Sequence, residues 1–281
     1  MAQLITASPG FLILNDHEYR LLASFIQKNY GIYLKEEKRT LLSSRLQGLL
    51  TEMNCQSFRD FHQRLLADET GEIAVEMINR ITTNHTYFMR EADHFVFFQK
   101  KVLPNLQKTV KDKDLRVWCA ACSTGEESYT LAMLIDEFFQ EEKYFWDSRI
   151  LATDISARAL DRAVKGVYTT EGIARLPATW RLKYFEQVGE NEYQVMDSIR
   201  QEVIYRKFNL MEKSFPFRKK FHAIFCRNVM IYFDEQTTYD LVDKFYECTE
   251  PGGYLFIGHS ETLLRDKTRY RYVMPAVYQR V

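Results

Sequence analysis

No apolar run in this 281-residue chain approaches the roughly 20 residues needed to cross a bilayer, so no segment reads as a membrane span. The opening "MAQLITASPGFLIL" has neither the basic start nor the long apolar stretch of a signal peptide, and the expectation is a cytoplasmic protein without membrane insertion. Charge of one sign is also missing. The 38 Lys+Arg balance 38 Asp+Glu, which removes the global basic field that nucleic-acid binding usually needs and leaves room only for a local basic face. The cysteines, Cys55, Cys119, Cys122, Cys226 and Cys248, are odd in number in a chain of ordinary core size, so no disulfide framework is expected. Cys119 and Cys122 form a C-x-x-C, but no second C-x-x-C or H-x-x-x-H completes a structural zinc site. The pair also spans a strand end, whereas redox motifs usually sit at a helix start. It reads as small residues in a tight turn, and no metal is expected. Repeats and low-complexity segments are absent as well.

What is present is a globular composition, 46% hydrophobic and 14% aromatic, with enough length for a substantial core. The first helix is signposted by a capping-box pair, Asn15 and Glu18, by apolar residues at helical spacing from Tyr19 to Ile26, and by Gly31 after its end. A second runs through "KEEKRTLLSSRLQGLLTEM", with Leu42, Leu46, Leu49 and Met53 on one face and Lys35, Lys38, Arg39 and Arg45 towards the other. By charge pattern alone that second face reads as solvated surface. "SFRDFHQRLLAD" and "EIAVEMINRITT" continue the pattern, so residues 1–83 read as an all-helical N-terminal domain and 84–111 as a linker containing a helix.

From 112 to 281 the pattern changes. "LRVWCAAC", "RILATDI", "FHAIFCRNV" and "GGYLFIGHS" are short apolar runs separated by helical segments, which implies parallel pairing with both sheet faces covered: a doubly wound, Rossmann-like α/β domain. At about 186–208, Tyr193, Val195, Val203 and Tyr205 alternate between polar turns and suit a small antiparallel β insertion of two or three strands.

In such a sheet, ligands sit at the carboxyl ends of the strands, where "CSTGEE" (122–127) is placed. The turn has neither the G-x-G-x-x-G of a dinucleotide site nor the lysine of a Walker loop, and Glu126 would repel phosphate. A phosphate-free, cationic nucleoside suits it better, and S-adenosylmethionine is such a ligand. Asp154, ending the second strand, is placed to take both ribose hydroxyls.

"TTNHTYFMRE" (82–91), "CAACSTGEESYTLAM" (119–133), "ATDIS" (152–156), "FCRNVMIYFD" (225–234) and "GGYLFIGHSETL" (252–263) resemble, in order, the motifs of the CheR family of chemotaxis protein-glutamate methyltransferases. The resemblance covers almost the whole chain. It implies transfer of a methyl group from S-adenosyl-L-methionine to glutamates on the cytoplasmic helices of bacterial chemoreceptors, leaving S-adenosyl-L-homocysteine. By motif, Asn84, Thr86 and Arg90 would line the cofactor cleft from the linker side and Glu126 and Asp154 from the sheet side. Asn209 and Leu210 in "KFNLME", and Asn228 and Val229 after the fourth strand, would complete it. Arg90 and Tyr232 match positions near the reacting atoms. The resemblance also makes Lys38, Arg39 and Arg45 a docking face for acidic receptor helices, although Gln47, Gly48 and Leu49 stand where some relatives carry more arginine. The short turn "VGENEY" lacks the glycine-rich character of a loop that tethers some relatives to a receptor C-terminal peptide, so a member that works without the tether is expected; separately, a monomer is expected.

Taken residue by residue, plainer roles stay open: Asp154 as a helix cap, Asn228 as a turn residue, Tyr232 as a core aromatic, and His259 and Ser260 as turn residues, since "GHSE" lacks a G-x-S-x-G elbow. Two rival functions remain. One is a receptor-docking regulatory module that binds the cofactor with weak catalysis. The other is a nucleic-acid methyltransferase, disfavoured because "RNVMIYF" replaces the Asn/Asp-Pro-Pro-aromatic motif of amino-group chemistry.

Overall fold

The computed structural model describes residues 11–82 and 85–281. They fall into two compact units, the second of which begins at His85 and takes in residues 85–111 of the segment expected as a linker.

The first unit is helical: α1 (Asp16–Tyr30), α2 (Arg39–Glu52), α3 (Phe58–Ala67) and α4 (Glu72–Ile81). The Asn15 side chain accepts from Glu18 N at 2.9 Å while the Glu18 carboxylate accepts from Asn15 N at 3.1 Å, closing the capping box. The second oxygen of Glu18 takes Arg59 N at 3.0 Å, so one buried carboxylate seats the starts of both α1 and α3. Leu22, Ile26, Leu42, Leu46, Leu50, Phe58, Phe61 and Met77 fill the core. Leu49 is buried with them, and the Gln47 amide pairs with both backbone groups of Leu12, at 3.1 and 2.7 Å. Packing and backbone pairing therefore account for residues other than arginine at 47 and 49.

The second unit opens with one long helix, α5 (Ala92–Phe97) and α6 (Leu103–Thr109) joined through a π-helical turn at Phe98–Val102. The strands β1 (Val117–Ala120), β2 (Ile150–Asp154), β6 (Val203–Lys207), β7 (Phe221–Phe225), β8 (Thr249–Phe256), β9 (Arg271–Met274) and β10 (Val277–Gln279) form one sheet in the order β6-β2-β1-β7-β8-β10-β9. The first five are mutually parallel, and β10 and β9 are antiparallel additions. Side chains alternate between two cores. Val117, Cys119, Ala223, Phe225 and Phe256 face α5 and α7 (Glu126–Phe139), whereas Trp118, Ala120, Ile224, Cys226 and Leu255 face α12 (Glu235–Cys248). The chain builds outward from β1 through β2 to β6 and returns to β1's other side with β7, which sets the topological switch point between β1 and β7. Between β2 and β6 run α8 (Ala157–Lys165), α9 (Thr170–Ile173), α10 (Ala178–Tyr184) and α11 (Asp197–Arg200).

The small antiparallel sheet is present and holds Tyr193 and Val195 as expected, but not Val203 and Tyr205. It consists of β3 (Val167–Thr169), β4 (Phe185–Gly189) and β5 (Glu192–Val195), in the order β3-β5-β4. Val203 and Tyr205 belong instead to β6, which pairs parallel with β2 from Ile150 opposite Val203 to Asp154 opposite Lys207. A period-2 pattern marks a strand without saying which sheet receives it, and here the turn of α11 returns the chain to the main sheet.

Candidate active site

The turn after β1 is unusually strained. Ala121, Ser123 and Gly125 all have positive φ, at 63°, 49° and 98°. Two bonds from β2 hold it: Cys122 N donates to Thr153 O at 2.8 Å and Ser123 N to Asp154 Oδ2 at 2.8 Å. Packing from behind closes it, because a Cβ on Gly125 would lie 2.9 Å from Tyr205 Oη and 3.0 Å from both Ala163 Cβ and Tyr168 Oη. Tyr168, from β3 of the inserted sheet, also donates to Thr124 O at 2.7 Å. The inserted sheet thus braces the turn.

Asp154 does not cap the following helix. Ser156 does so, accepting from Ala159 N at 3.1 Å, while Asp154 accepts from Ser156 N at 2.9 Å with its other oxygen. Glu126 meets the Thr124 hydroxyl at 2.7 Å. Burial raises the pKa of both carboxyls, and neither has a cation as ion-pair partner among the described residues.

On the other side of the switch point, Arg227 follows β7 by two residues, with Asn228 at φ 59° beyond it. The buried carboxylate of Glu261 arranges this turn by accepting from the backbone N–H groups of Asn228 (3.1 Å), Val229 (2.9 Å), Ile231 (3.2 Å) and Gly258. Tyr232 is half-buried at the end of a 3-10 turn, its N–H donating to Val229 O at 3.2 Å. Arg90 lies in a segment where Met89 and Glu91 are both left-handed, at 60° and 56°, and its Nη1 donates to His85 O at 2.6 Å. Thr86 is half-buried in the same segment. Asn209 folds its own turn, accepting from Met211 N at 3.0 Å, beside buried Leu210.

These pieces are joined by contacts far apart in sequence. Phe208 N donates to Asp154 O at 3.0 Å, bringing the Asn209–Leu210 turn to the end of β2. Arg227 bridges Glu127, next to Glu126, and Glu91, next to Arg90, at 2.8 and 2.9 Å. Thr86, Arg90, Glu126, Asp154, Asn209, Leu210, Asn228, Val229 and Tyr232 all lie on the loops linked in this way. Asn84 falls outside the described residues, and Lys38, Arg39 and Arg45 belong to the first unit.

Sequence reasoning passed over Glu91, Arg227 and Glu261, although each lies inside a quoted motif. The available signal was an arginine directly after the apolar run "FHAIFC", a position where a buried guanidinium requires carboxylates. Glu91, His94 and His259 each set one metal-ligand-type atom within 4.8 Å of the others. The Glu91 oxygens there already accept from Arg227, Asn228 and the His259 N–H, so the cation of this cluster is the guanidinium. Burial pushes the pKa of His94 down to about 4 and keeps its ring neutral at physiological pH. The five cysteines are free thiols, and burial pushes Cys119 and Cys122 far above the ordinary thiol range, as expected of packing residues.

Residues 17–82 match the family model for the CheR methyltransferase all-alpha domain, and residues 84–278 match that for the CheR methyltransferase SAM binding domain. The chain belongs to the CheR methyltransferase family. It is 41% identical over 271 residues to a chemotaxis protein methyltransferase of Borreliella burgdorferi, covering 95% of each chain. A Pseudomonas putida chemotaxis protein methyltransferase, Cher2, is 37% identical, covering 85% of this chain and 88% of its own; one from Pseudomonas aeruginosa is 35% identical, covering 91% and 94%. Among solved structures, the glycopeptide N-methyltransferase MtfA with S-adenosyl-L-methionine aligns over 57% of this chain and 53% of its own at 16% identity, with a TM-score of 0.32. This CheR-family chain is an S-adenosylmethionine-dependent methyltransferase. Its site fits that cofactor. Two desolvated carboxylates without a cation partner among the described residues suit a ligand that brings positive charge and ribose hydroxyls, and Glu126 at the rim disfavours a phosphate.

Proposed function

We propose that this protein methylates glutamate side chains on the cytoplasmic helices of chemoreceptors, using the loops at the β1/β7 switch point. The observation that carries the reading is the pairing of two desolvated carboxylates, Glu126 and Asp154, with a turn held by Asp154 itself. When bound, S-adenosylmethionine supplies a sulfonium methyl that a carboxylate oxygen attacks in line, so that two opposite charges become a methyl ester and a thioether. A glutamate with an ordinary pKa of about 4.3 is ionised at neutral pH, so the protein needs no general base. Its contribution is to orient and desolvate, which can lower a barrier by about 7–11 kcal/mol.

In this reading Asp154 takes the ribose hydroxyls, Glu126 faces the ligand's positive charge, and Asn84, Thr86, Asn209, Leu210, Asn228 and Val229 line the cleft. Arg90 and Tyr232 orient the substrate carboxylate without exchanging protons. A tight ion pair to Arg90 would stabilise the reactant more than the transition state, because charge is lost on transfer; positioning is therefore its role. Lys38, Arg39 and Arg45 meet acidic receptor helices. Arg39 is exposed but pairs with Asp16, and Arg45 donates to Ile81 O at 2.5 Å, so docking by either competes with an internal partner. Among the described residues no helix is long and apolar enough to cross a membrane, and we take the protein to act as a cytoplasmic monomer.

The test is to incubate the protein with methyl-labelled cofactor and a panel of receptor cytoplasmic fragments, then map base-labile methyl esters. Label on receptor glutamates supports the assignment. Cofactor binding without any transfer would make the protein a regulatory module instead.

A further inference from the structure

The Arg227 side chain is 2% exposed, so it meets no substrate, yet it joins the Arg90 segment to the start of α7. Its Nη1 donates to Glu127 at 2.8 Å, its Nε and Nη2 to Glu91 Oε2 at 3.3 and 2.9 Å, and its Nη2 also to the backbone carbonyl of Arg90. The Phe95 ring covers its guanidinium at 5.1 Å. Glu91 passes the constraint on: its Oε1 accepts from the Asn228 side chain at 3.1 Å and from His259 N at 3.2 Å. Burial alone would raise the pKa of Glu91, but Arg227 together with the Asn228 and His259 N–H donors outweighs it and holds the carboxyl below its ordinary range. Met89, Glu91 and Asn228, all left-handed, flank these bonds, which puts strained backbone on both sides of one buried ion cluster.

We propose that Arg227, acting through Glu91, is a positioning residue for methyl transfer, fixing the Arg90 backbone and the Asn228 side chain in the geometry that in-line attack requires. The inference rests on the methyl-transfer reading above and adds residues that contact neither reactant. A guanidinium suits the task because its planar fork serves two carboxylates and a carbonyl at once, whereas an ammonium acts as a single point.

The experiment compares the full-length protein with Arg227→Lys, Arg227→Met and Glu91→Gln. Calorimetry with S-adenosylhomocysteine gives the cofactor Kd and the fraction of binding-competent protein; methylation of the receptor fragment that the wild type modifies gives KM and a kcat normalised to that fraction. Arg227→Met and Glu91→Gln should lower normalised kcat about 100-fold, the scale of a displacement of about 1 Å at the reacting centre, with the cofactor Kd changed less than about threefold. Arg227→Lys should recover part of the loss. If Arg227→Met does not fold, the other two variants, close in size or charge to the native residues, decide. A normalised kcat within about twofold of wild type in Glu91→Gln and Arg227→Lys overturns the inference, as does a cofactor Kd that rises in step with the kcat loss, both judged against that expected loss. A wild-type protein that methylates no fragment fails at the earlier reading, and the inference falls with it.

Discussion

Replacing Asp154 by Asn isolates the charge that the pocket offers its ligand. The shape is kept, and one carbonyl oxygen remains for either Ser123 N or Ser156 N, now held at 2.8 and 2.9 Å. Losing one such bond to a charged group costs the free protein about 1.5–3 kcal/mol. Removing a desolvated charge works in the opposite direction, so thermal stability should barely move: about 2–4 °C per kcal/mol applies to a unit of this size. Binding is affected more. A hydrogen bond to a charged group contributes about 1.5–3 kcal/mol, so the S-adenosylhomocysteine Kd should rise about 10- to 150-fold. Burial holds Asp154 and Glu126 above the ordinary carboxylate range, and both ribose hydroxyls and a cation prefer the ionised forms. Wild-type affinity should therefore increase as pH climbs through that raised range and level off above it, and Asp154→Asn should flatten its share of the rise. Calorimetry across the acidic to neutral range measures both effects. A Kd within about twofold of wild type, with an unchanged pH profile, refutes the assignment, since even the weaker estimate predicts tenfold.

Arg90→Ala should reduce turnover about 100-fold while cofactor affinity changes less than about threefold; equal losses in both would contradict a positioning role. Gly125→Ala forces a left-handed alanine, at about 1–2 kcal/mol, into contact with Tyr205, Ala163 and Tyr168, adding about 1–3 kcal/mol. Urea unfolding should register a total of about 2–5 kcal/mol, and a loss below about 1 kcal/mol would mean that the tyrosines do not brace the turn. Raising salt shortens the screening length below about 8 Å, and receptor KM should increase while cofactor Kd holds nearly constant; parallel changes would remove Lys38, Arg39 and Arg45 as a docking face.

The legible part of the molecule was local. The capping box at Asn15 and Glu18, the four helices of the first unit and the alternation of strands and helices in the second all arise from interactions within a few residues, which a single chain displays directly. Misplacing Val203 and Tyr205 has the converse cause: a strand's partner is chosen by tertiary packing, and the alternation was equally compatible with either sheet. The site divides in the same way. Glu126 and Asp154 were readable because each closes a strand or opens a helix in a recognisable turn. The Arg227 cluster was not, because its bonds to Glu127 and Glu91 span 100 and 136 residues.

Residue order alone thus determined the helical first unit, the doubly wound second unit and the acidic character of the turn after β1, since periodicity and composition are properties of neighbours. Tertiary structure decided which strands pair, that Ser156 rather than Asp154 caps the helix after β2, and that Arg39 and Arg45 have partners inside the first unit. It also decided that a buried guanidinium ties the Arg90 segment to the Asn228 turn. The physical reason is that a buried charge must find opposite charge wherever the fold supplies it, and nothing in the local sequence states where that will be.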